Sequence, residues 1–344
     1  MYAKEKDHWR DFAEAARRQG SPLYARLAIA IDGDESLKAL TAGRRKGQPA
    51  ANLLLAAVHF LLLKGAQHPL RNIYATLGGT ASSDNVFALF QDFVTGHQDA
   101  VRQLVESRVT NTNEVGHCAI LRAGFGALAE DESALLHLIE IGPSAGLNMG
   151  WDRYGVRYSR EGAVVADILP DAPLVLDCDL KTGATPPVKL MPRIGRRLGL
   201  ELNPVNLENA DDRDWLRALV WPDQPQRLAR LDAAIAMARQ TPSEIRGGDA
   251  LSLLPQALAE IPPGGAVCVY HTIVTYQFSA DMREGLEALL VTAGLRRPVW
   301  HLSLEFDGKK NFVLTLAHHH DGMRRARVLA SASAHGAWLA WQKG

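Results

Sequence analysis

The sequence predicts an α/β protein: a doubly wound, mostly parallel, Rossmann-like sheet with an antiparallel edge, preceded by helices. Three observations support this fold class. Apolar residues in the first part of the chain recur at helical spacing. After Glu132, short apolar runs alternate with helical segments, as in parallel strands joined by right-handed crossovers. The first of these runs enters a glycine-rich turn. We therefore predict a helical N-terminal domain at residues 1–128 and an α/β domain at residues 129–344.

The composition limits the classes of function. Lys and Arg together number 38, as do Asp and Glu, so the formal net charge is zero. A balanced chain has no electrostatic reason to coat nucleic acid or an anionic membrane, which favours a small-molecule substrate. The three cysteines are far apart and lack metal-site spacing, which fits a reducing cytosol.

Neither a secretory signal nor a transmembrane helix is predicted. The first residues are highly charged and lack the apolar core of a signal peptide. The longest apolar stretch, Leu53–Leu63, is much shorter than the roughly 20 residues that span a bilayer. We expect a cytoplasmic protein without a membrane partner, and the oligomeric state stays open.

The N-terminal domain is predicted from segments with helical patterns. His8–Arg18 is amphipathic, and Leu53–Lys64 is apolar enough to be a buried helix. Ser83–Asp84 can cap a long helix, and Gln98–Ser107 forms the next one. These segments predict a helical body before the first strand.

The α/β domain is predicted from apolar runs of strand length and from the helical segments between them. The predicted strands are Leu135–Ile141, Leu200–Leu207, Ser243–Gly247, Ala266–His271 and Val299–Phe306. The predicted helices are Trp215–Trp221, Pro225–Arg239, Leu251–Ile261 and Asp281–Thr292.

Two segments depart from this alternation. Asp307–Asn311 has the composition of a hairpin turn, and Arg327–Ala332 adds one more strand, so the last strands are predicted to be antiparallel. Residues 155–190 contain several prolines and glycines between short β-prone runs. They are predicted to form an inserted lobe of hairpins beside a seven-stranded sheet.

The glycine-rich turn Glu140–Asn148 is the segment that carries the clearest chemical information. A strand that enters such a turn and then a helix, as predicted here, presents backbone N–H groups at the carboxyl edge of the sheet, where open α/β sheets bind ligands. Gly142 permits a sharp turn and close approach of a ligand, and Gly146 permits close packing behind it. Glu140 can accept a hydrogen bond from a cationic or hydroxylated ligand.

Two interpretations of this turn are less favoured. A dinucleotide fingerprint requires glycine where Ser144 and Leu147 stand. A serine-hydrolase elbow, G-x-S-x-G, is matched with Ser144 as nucleophile. Its histidine would be His271, His301 or His335, with Asp249 as the acid. Hydrolases of that type place several strands before the elbow, whereas this turn follows the first predicted strand.

The turn also resembles the first motif of S-adenosylmethionine-dependent methyltransferases, an acidic residue followed by G-x-G-x-G, with Ser144 in place of the middle glycine. The resemblance implies a methyltransferase-like sheet that binds S-adenosylmethionine. It implies that Asp249 and Ala250 contact adenine and that an acidic or amide side chain after the second strand holds the ribose; Glu201, Asn206 and Glu208 are candidates. The cofactor-binding residues predicted at the turn are Glu140, Gly142, Pro143, Ser144, Gly146 and Asn148.

Catalytic and substrate-binding residues are predicted near the end of the fourth strand. His271 could accept a proton from the attacking nucleophile, and Tyr276 lies close to it in sequence. Methyl transfer needs little beyond an in-line approach, so a base is not required. The residues predicted to face the substrate are Asn113, Glu114, Tyr154 and Thr272. A polar linker at 113–114 and core packing of Tyr154 are the alternatives.

No metal site is predicted. His318, His319 and His320 are consecutive on a strand, so they alternate between its faces and cannot all reach one ion. A hairpin end is the favoured interpretation.

Most of the chain resembles an uncharacterised bacterial family, domain-of-unknown-function family 2332. The resemblance is carried by residues 140–148 and 151–154, by Asp212–Pro222 and by Gly248–Ala250. It implies a methyltransferase-like sheet with a helical N-terminal part, which we expect to cover the pocket and select the substrate. A binding protein without catalytic activity is a further alternative.

Overall fold

The computed structural model describes residues 8–181, 183–308 and 311–342. The chain divides into two compact units. The first comprises Met1–Thr112 and Val205–Asp232, and the second comprises Asn113–Pro204 and Ala233–Gly344. The predicted boundary at residue 128 differs from this division, because periodicity along the chain does not reveal which core a helix packs against.

Helices occupy the following segments of the described chain. They are α1 (His8–Arg18), α2 (Pro22–Asp32), α3 (Glu35–Ala39), α4 (Ala50–Leu63), α5 (Val86–Gly96), α6 (Gln98–Ser107), α7 (His117–Asp131), α8 (Ala210–Ala218), α9 (Pro225–Gln240), α10 (Ala250–Ala259) and α11 (Ala280–Gly294). In the described part of the chain, no helix is long and apolar enough to cross a membrane.

The first unit is helical and is built around α4. Nearly every residue of α4 is buried, as predicted for this apolar stretch. Its buried His59 bonds through Nδ1 to the carbonyl oxygen of Ala218 (3.1 Å) and through Nε2 to Thr76 Oγ1 (2.8 Å). Burial lowers the pKa of His59 to about 4, so this imidazole is a neutral, satisfied core residue.

Within the described residues, eleven strands form one mixed sheet in the second unit. The strands are β1 (Leu136–Ile141), β2 (Gly155–Arg160), β3 (Ala163–Ile168), β4 (Val175–Leu180), β5 (Ile194–Glu201), β6 (Glu244–Gly247), β7 (Ala266–Thr272), β8 (Val299–Phe306), β9 (Phe312–His320), β10 (Met323–Ala332) and β11 (Trp338–Trp341). Their spatial order is β3-β2-β4-β11-β10-β9-β8-β7-β1-β5-β6.

The parallel part of the sheet is Rossmann-like, as predicted. β6, β5, β1, β7 and β8 are neighbours and pair in parallel. Taken in chain order, these strands have the spatial order 3-2-1-4-5, which matches the doubly wound arrangement. The order reverses between β1 and β7, so the topological switch point lies at the carboxyl ends of these two strands. β8, β9, β10 and β11 pair in antiparallel fashion, which gives the expected antiparallel region.

Helices cover both faces of the parallel strands. On one face, α10 and α11 pack their buried leucines against Ile139, Val267 and Val299. On the other face, a Cβ at Gly124 of α7 would lie 2.8 Å from Leu302, so glycine is what lets this helix approach the sheet so closely. Every residue from 117 to 128 is buried, which places α7 in the core of the second unit.

Three predictions about this unit need correction. The second parallel strand is β5 rather than Leu200–Leu207, because the arginines within Ile194–Glu201 conceal an otherwise strand-like segment. The predicted helix at 215–221 is α8, which begins earlier, where Asn209 caps it. Residues 155–190 do not form a separate lobe: β4 pairs in parallel with β11, so β2, β3 and β4 extend the same sheet.

Candidate functional site

The candidate site lies at the switch point of the sheet. β1 ends at Ile141, β7 at Thr272 and β5 at Glu201, and these ends share one edge because the strands are parallel. In open α/β sheets, ligands bind in the crevice outside this edge. The topology therefore brings the glycine-rich turn, the end of the second strand and the end of the fourth strand together.

The backbone at this edge adopts the left-handed region at several positions. Gly142 and Gly146 have φ values of +68° and +76°, and Ser144 and Ile273 both have φ of +56°. A β-branched residue in this region is strained, and such strain clusters at functional sites. A Cβ at Gly142 would lie 2.8 Å from Cγ2 of Val274, so only glycine fits beside this loop.

The chain that follows the turn differs from the prediction. Instead of a helix, a single 3₁₀ turn spans Leu147–Gly150. Asn113 Oδ1 accepts a hydrogen bond from the backbone N–H of Leu147 (3.2 Å), and the Tyr154 hydroxyl donates to the Leu147 carbonyl (2.8 Å). These side chains hold the turn in place, so Asn113 and buried Tyr154 have a structural role here.

Glu201 holds the glycine-rich turn. Its Oε2 accepts the backbone N–H of Ser144 at 2.8 Å, and its Oε1 accepts the N–H of Asn203 at 2.9 Å. The residue is buried. A carboxylate can accept about four hydrogen bonds, so these two contacts leave acceptor positions available. Of the three ribose candidates, Glu201 is the one at the end of β5.

Glu140 is a buried carboxyl group on β1. Tyr270 Oη donates to its Oε2 at 3.0 Å. Burial raises the pKa of Glu140 to about 8, and the negative charge of Glu201 adds to this rise. The group is therefore mostly protonated at neutral pH.

Asn148 and Thr272 meet across the switch point. Asn148 Nδ2 donates to Thr272 Oγ1 at 3.4 Å, and the thiol of Cys118 donates to Asn148 Oδ1 at 3.3 Å. Cys118 lies on α7 and is buried, and burial raises the pKa of its thiol well above the usual value. The thiol is therefore protonated and acts as a donor rather than as a nucleophile.

His271 and Glu140 project on opposite faces of the sheet. Tyr270, next to His271 on β7, bonds to Glu140, and successive strand residues alternate between faces. His271 is buried, with Nδ1 2.8 Å from Glu305 Oε1 and Nε2 3.0 Å from His301 Nε2. Both ring nitrogens therefore have protein partners, and a role in proton transfer stays a prediction.

Glu305 fixes the loop after β7. Its Oε1 accepts the backbone N–H groups of Val274 (2.8 Å) and Thr275 (2.9 Å) as well as bonding to His271. These bonds lower the pKa of Glu305 although burial opposes them. Tyr276 follows in a 3₁₀ turn and is 45% exposed, so its side chain is accessible.

Other predicted site residues lie elsewhere or have protein partners. Asp249 is exposed and caps α10, accepting the N–H of Ser252 at 2.9 Å, and Ala250 is the first residue of that helix. Glu114 Oε2 lies 2.9 Å from His335 Nδ1. Asn206 belongs to the first unit, where its side chain accepts from the N–H of Glu208.

The backbone at Ser144 has the conformation that a serine hydrolase requires, but the predicted histidine–acid pair is not formed. Ser144 has the positive φ expected of an elbow, and it is buried. Asp249 bonds to Ser252, while His271 and His335 pair with Glu305 and Glu114. Neither His271 nor His335 therefore pairs with Asp249, as the serine-hydrolase interpretation would require.

A small cleft borders the outer side of the turn. Its lining does not include Glu140, Glu201 or Thr272, so it does not mark the switch point. The lining residues are Gly146, Leu147, Gly150, Arg153, Tyr154, Met237, Ala238, Thr241 and Ser243.

A model of the family described as "Uncharacterized protein conserved in bacteria (DUF2332)" matches residues 6–341. The chain belongs to this family. The predicted resemblance is therefore confirmed at the level of the family. Among curated proteins, the comparison found no match.

The sequence analysis did not identify several residues that hold the loops of the candidate site in place. Glu305 lies inside a strand and was not singled out, although it holds the loop at 273–275. Cys118 was considered only for disulfides and metals. Arg197 forms a bidentate pair with Asp152 (2.7 Å to each oxygen) beneath the turn. No sequence motif marks these residues, because their partners are distant in the chain.

Proposed function

We propose that the second unit binds S-adenosylmethionine at the switch point and that the protein is a methyltransferase acting on a small molecule. The observation that carries the proposal is the contact between Glu201 and the turn. An acidic residue at the end of the second parallel strand grips the glycine-rich turn after the first strand, in a sheet of order 3-2-1-4-5. Nucleotide-containing cofactors bind sheets of this order at this place.

The charges at the edge suit the proposed cofactor. S-adenosylmethionine carries a sulfonium, an ammonium group and two ribose hydroxyls. In the proposal, the remaining acceptor positions of Glu201 bind the ribose, and Glu140 faces the positive part of the cofactor. A nearby cation would lower the pKa of Glu140 from about 8 and favour its carboxylate.

Methyl transfer requires an in-line approach of the acceptor to the sulfonium methyl group. Bound S-adenosylmethionine would supply the electrophilic methyl group, and transfer to the acceptor's lone pair would leave the sulfur as a neutral thioether. In the proposal, Thr272 and exposed Tyr276 contact the acceptor. His271 acts as a positioning residue through Glu305, because it is buried on the other face of the sheet from Glu140.

Calorimetric titration of the full chain with S-adenosylmethionine and S-adenosylhomocysteine tests the proposal. We expect micromolar binding, and at least about tenfold weaker binding for Gly142→Ala because its Cβ would strike Val274. Gly162→Ala is the matched control: Gly162 also has positive φ, but a Cβ there would meet nothing within 4 Å. A folded wild-type protein that binds neither compound would contradict the proposal.

For Asp249, a variant must distinguish a role as the cap of α10 from a role in binding adenine. Asp249→Ser keeps a capping hydroxyl for α10, so stability should change by only about 0.5 kcal/mol or less. Weaker S-adenosylmethionine binding at unchanged stability would support an adenine contact. Unchanged binding would leave Asp249 as a helix cap alone.

The positive φ of Ser144 favours a serine hydrolase as the second candidate function. A fluorophosphonate probe distinguishes the two classes. Labelling that disappears in Ser144→Ala would support the hydrolase and contradict the methyltransferase.

A further inference from the structure

His319 is a buried histidine whose ring nitrogens have no hydrogen-bond partner. It lies on β9 with a fully buried side chain, and neither Nδ1 nor Nε2 forms a hydrogen bond. An imidazole has one N–H donor and one acceptor or two donors, and buried polar atoms in native proteins are nearly always paired. The nearest charged group is Glu287, whose Oε1 lies 3.8 Å from Nδ1. The unpaired ring nitrogens of His319 are therefore available to coordinate a metal ion.

The fold brings a second histidine and a carboxylate to the same place. In the pairing of β8 with β9, Val299 lies opposite His319, so His301, two residues further on, shares the face of His319. Glu287 comes from α11, which packs on that face. One ligand atom from each of Glu287, His301 and His319 lies within 4.8 Å of the other two.

The side chains at this place offer the donor atoms that a divalent metal ion takes. Two imidazoles with one carboxylate form a donor set that suits zinc and related divalent ions.

We propose that Glu287, His301 and His319 bind one divalent transition-metal ion of the zinc class. A tetrahedral zinc needs about 3.3 Å between ligand atoms, so the side chains must draw together slightly. Glu287 would supply this adjustment by changing rotamer, because its side chain is 40% exposed. Three protein ligands leave the fourth position for water or another small ligand.

His271 supports the proposed site as a second layer. In the tautomer of His271 whose Nδ1–H donates to Glu305, Nε2 is the acceptor for the Nε2–H of His301. These tautomers follow from the hydrogen-bond partners, and they leave Nδ1 of His301 as the nitrogen with a free lone pair. A carboxylate–histidine chain behind a ligand raises its basicity and fixes its orientation. This series of hydrogen bonds runs from His301 through His271 to Glu305, which also accepts the backbone N–H of Val274.

Arg324 competes with a metal for Glu287. Its Nε lies 3.0 Å from Glu287 Oε1, and its side chain is 44% exposed. Metal binding would release this guanidinium to solvent. The proposal therefore implies that removing Arg324 strengthens metal binding.

Zinc titration of the untagged, EDTA-treated full chain tests the proposal, with Co²⁺ absorption as the spectroscopic readout. We expect one Zn²⁺ per chain, with affinity at least about tenfold weaker in Glu287→Gln and His319→Gln. His320→Gln is the matched control, because this neighbouring histidine is 48% exposed and lies outside the cluster. Arg324→Gln should bind Zn²⁺ severalfold more tightly.

Several results would overturn the proposal: wild-type protein that takes up no zinc, zinc that is lost equally in His320→Gln, or wild-type affinity in Glu287→Gln. Circular dichroism establishes that each variant is folded. Glu287 is partly exposed, so its variant keeps the test decisive even where His319→Gln fails to fold. No S-adenosylmethionine is present in the titration, so its outcome is independent of the proposed function.

Discussion

At the residue scale, the switch point is marked by two buried carboxyl groups with different environments. Glu201 accepts two backbone N–H groups and keeps further acceptor positions. Glu140 has one hydrogen bond, from Tyr270, and burial raises its pKa to about 8. A buried carboxyl group in a candidate site with a strongly shifted pKa is typical of functional positions.

The raised pKa of Glu140 predicts a specific pH dependence of stability. Below about pH 4.5, Glu140 is protonated in the folded and unfolded chain. Between pH 4.5 and 8, only the unfolded chain ionises, so Glu140 destabilises the fold increasingly as pH rises, by roughly 2–5 kcal/mol in total. Above pH 8 the effect is constant. Glu140→Gln cannot ionise and keeps an acceptor for Tyr270, so it should lose this dependence.

Thermal midpoints of both proteins from pH 5 to pH 9 measure the effect. The two midpoints should be similar at pH 5, and the variant should be more stable at pH 9. Glu284→Gln, an exposed change on α11, should follow the wild type throughout. Parallel curves for wild type and Glu140→Gln would contradict the assignment.

At the element scale, the loop after β7 is held by a side chain from β8. Glu305 Oε1 bonds to two backbone N–H groups of the loop and to His271. The loop packs Val274 against Gly142, so its position determines the shape of the turn after β1. The side chains of two neighbouring strands thus position the loop at the candidate site.

Glu305→Gln should destabilise the protein at neutral pH by about 1–3 kcal/mol, because an amide cannot match the charge-assisted bonds of the carboxylate. The pKa of Glu305 is lowered, so its contribution is complete above the unfolded value of 4.5 and declines as pH falls through the folded value. The difference between wild type and variant should therefore shrink towards acid pH.

Chemical denaturation of Glu305→Gln at pH 7 and at acid pH tests this expectation, with Glu284→Gln as control. Weaker S-adenosylhomocysteine binding should accompany the loss of stability, since the loop borders the proposed site. Equal denaturation midpoints at pH 7 would show that Glu305 does not hold the loop.

At the scale of the whole molecule, one sheet combines two kinds of pairing. Its parallel half, β6-β5-β1-β7-β8, provides a switch point, and β9 and β10 continue it in antiparallel fashion. β2 and β3 form a hairpin at the far end of the same sheet. The topology therefore predicts that a ligand at the switch point affects the parallel half alone.

Hydrogen-exchange mass spectrometry with S-adenosylhomocysteine tests this distribution. Added ligand should slow exchange in peptides that cover residues 140–150, 201–204 and 272–277. The hairpin of β2 and β3 serves as an internal control, where exchange should not change. Protection confined to β2 and β3 would place the ligand elsewhere and contradict the proposed site.

Local patterns in the sequence were sufficient for much of the fold. β1, β6, β7 and β8 were predicted within one residue of each end. β1, β7 and β8 are largely apolar runs, whereas β6 is short and mostly polar and ends at a glycine. β5 was misplaced because its side chains are half polar. Arg196 and Arg197 pair with Glu244 and Asp152, which lie far away in the chain. Pattern recognition cannot anticipate such partners.

By itself, the sequence determined the helical and α/β character of the two parts, the glycine-rich turn and the family. These features depend on residue periodicity and on the backbone freedom of glycine, which are local properties. Only the tertiary structure decided which side chains meet. It placed His271 on the opposite face from Glu140, joined β4 to β11, and brought His301 and His319 beside Glu287. Those outcomes depend on strand order and register, which bring distant segments together and which no single segment encodes.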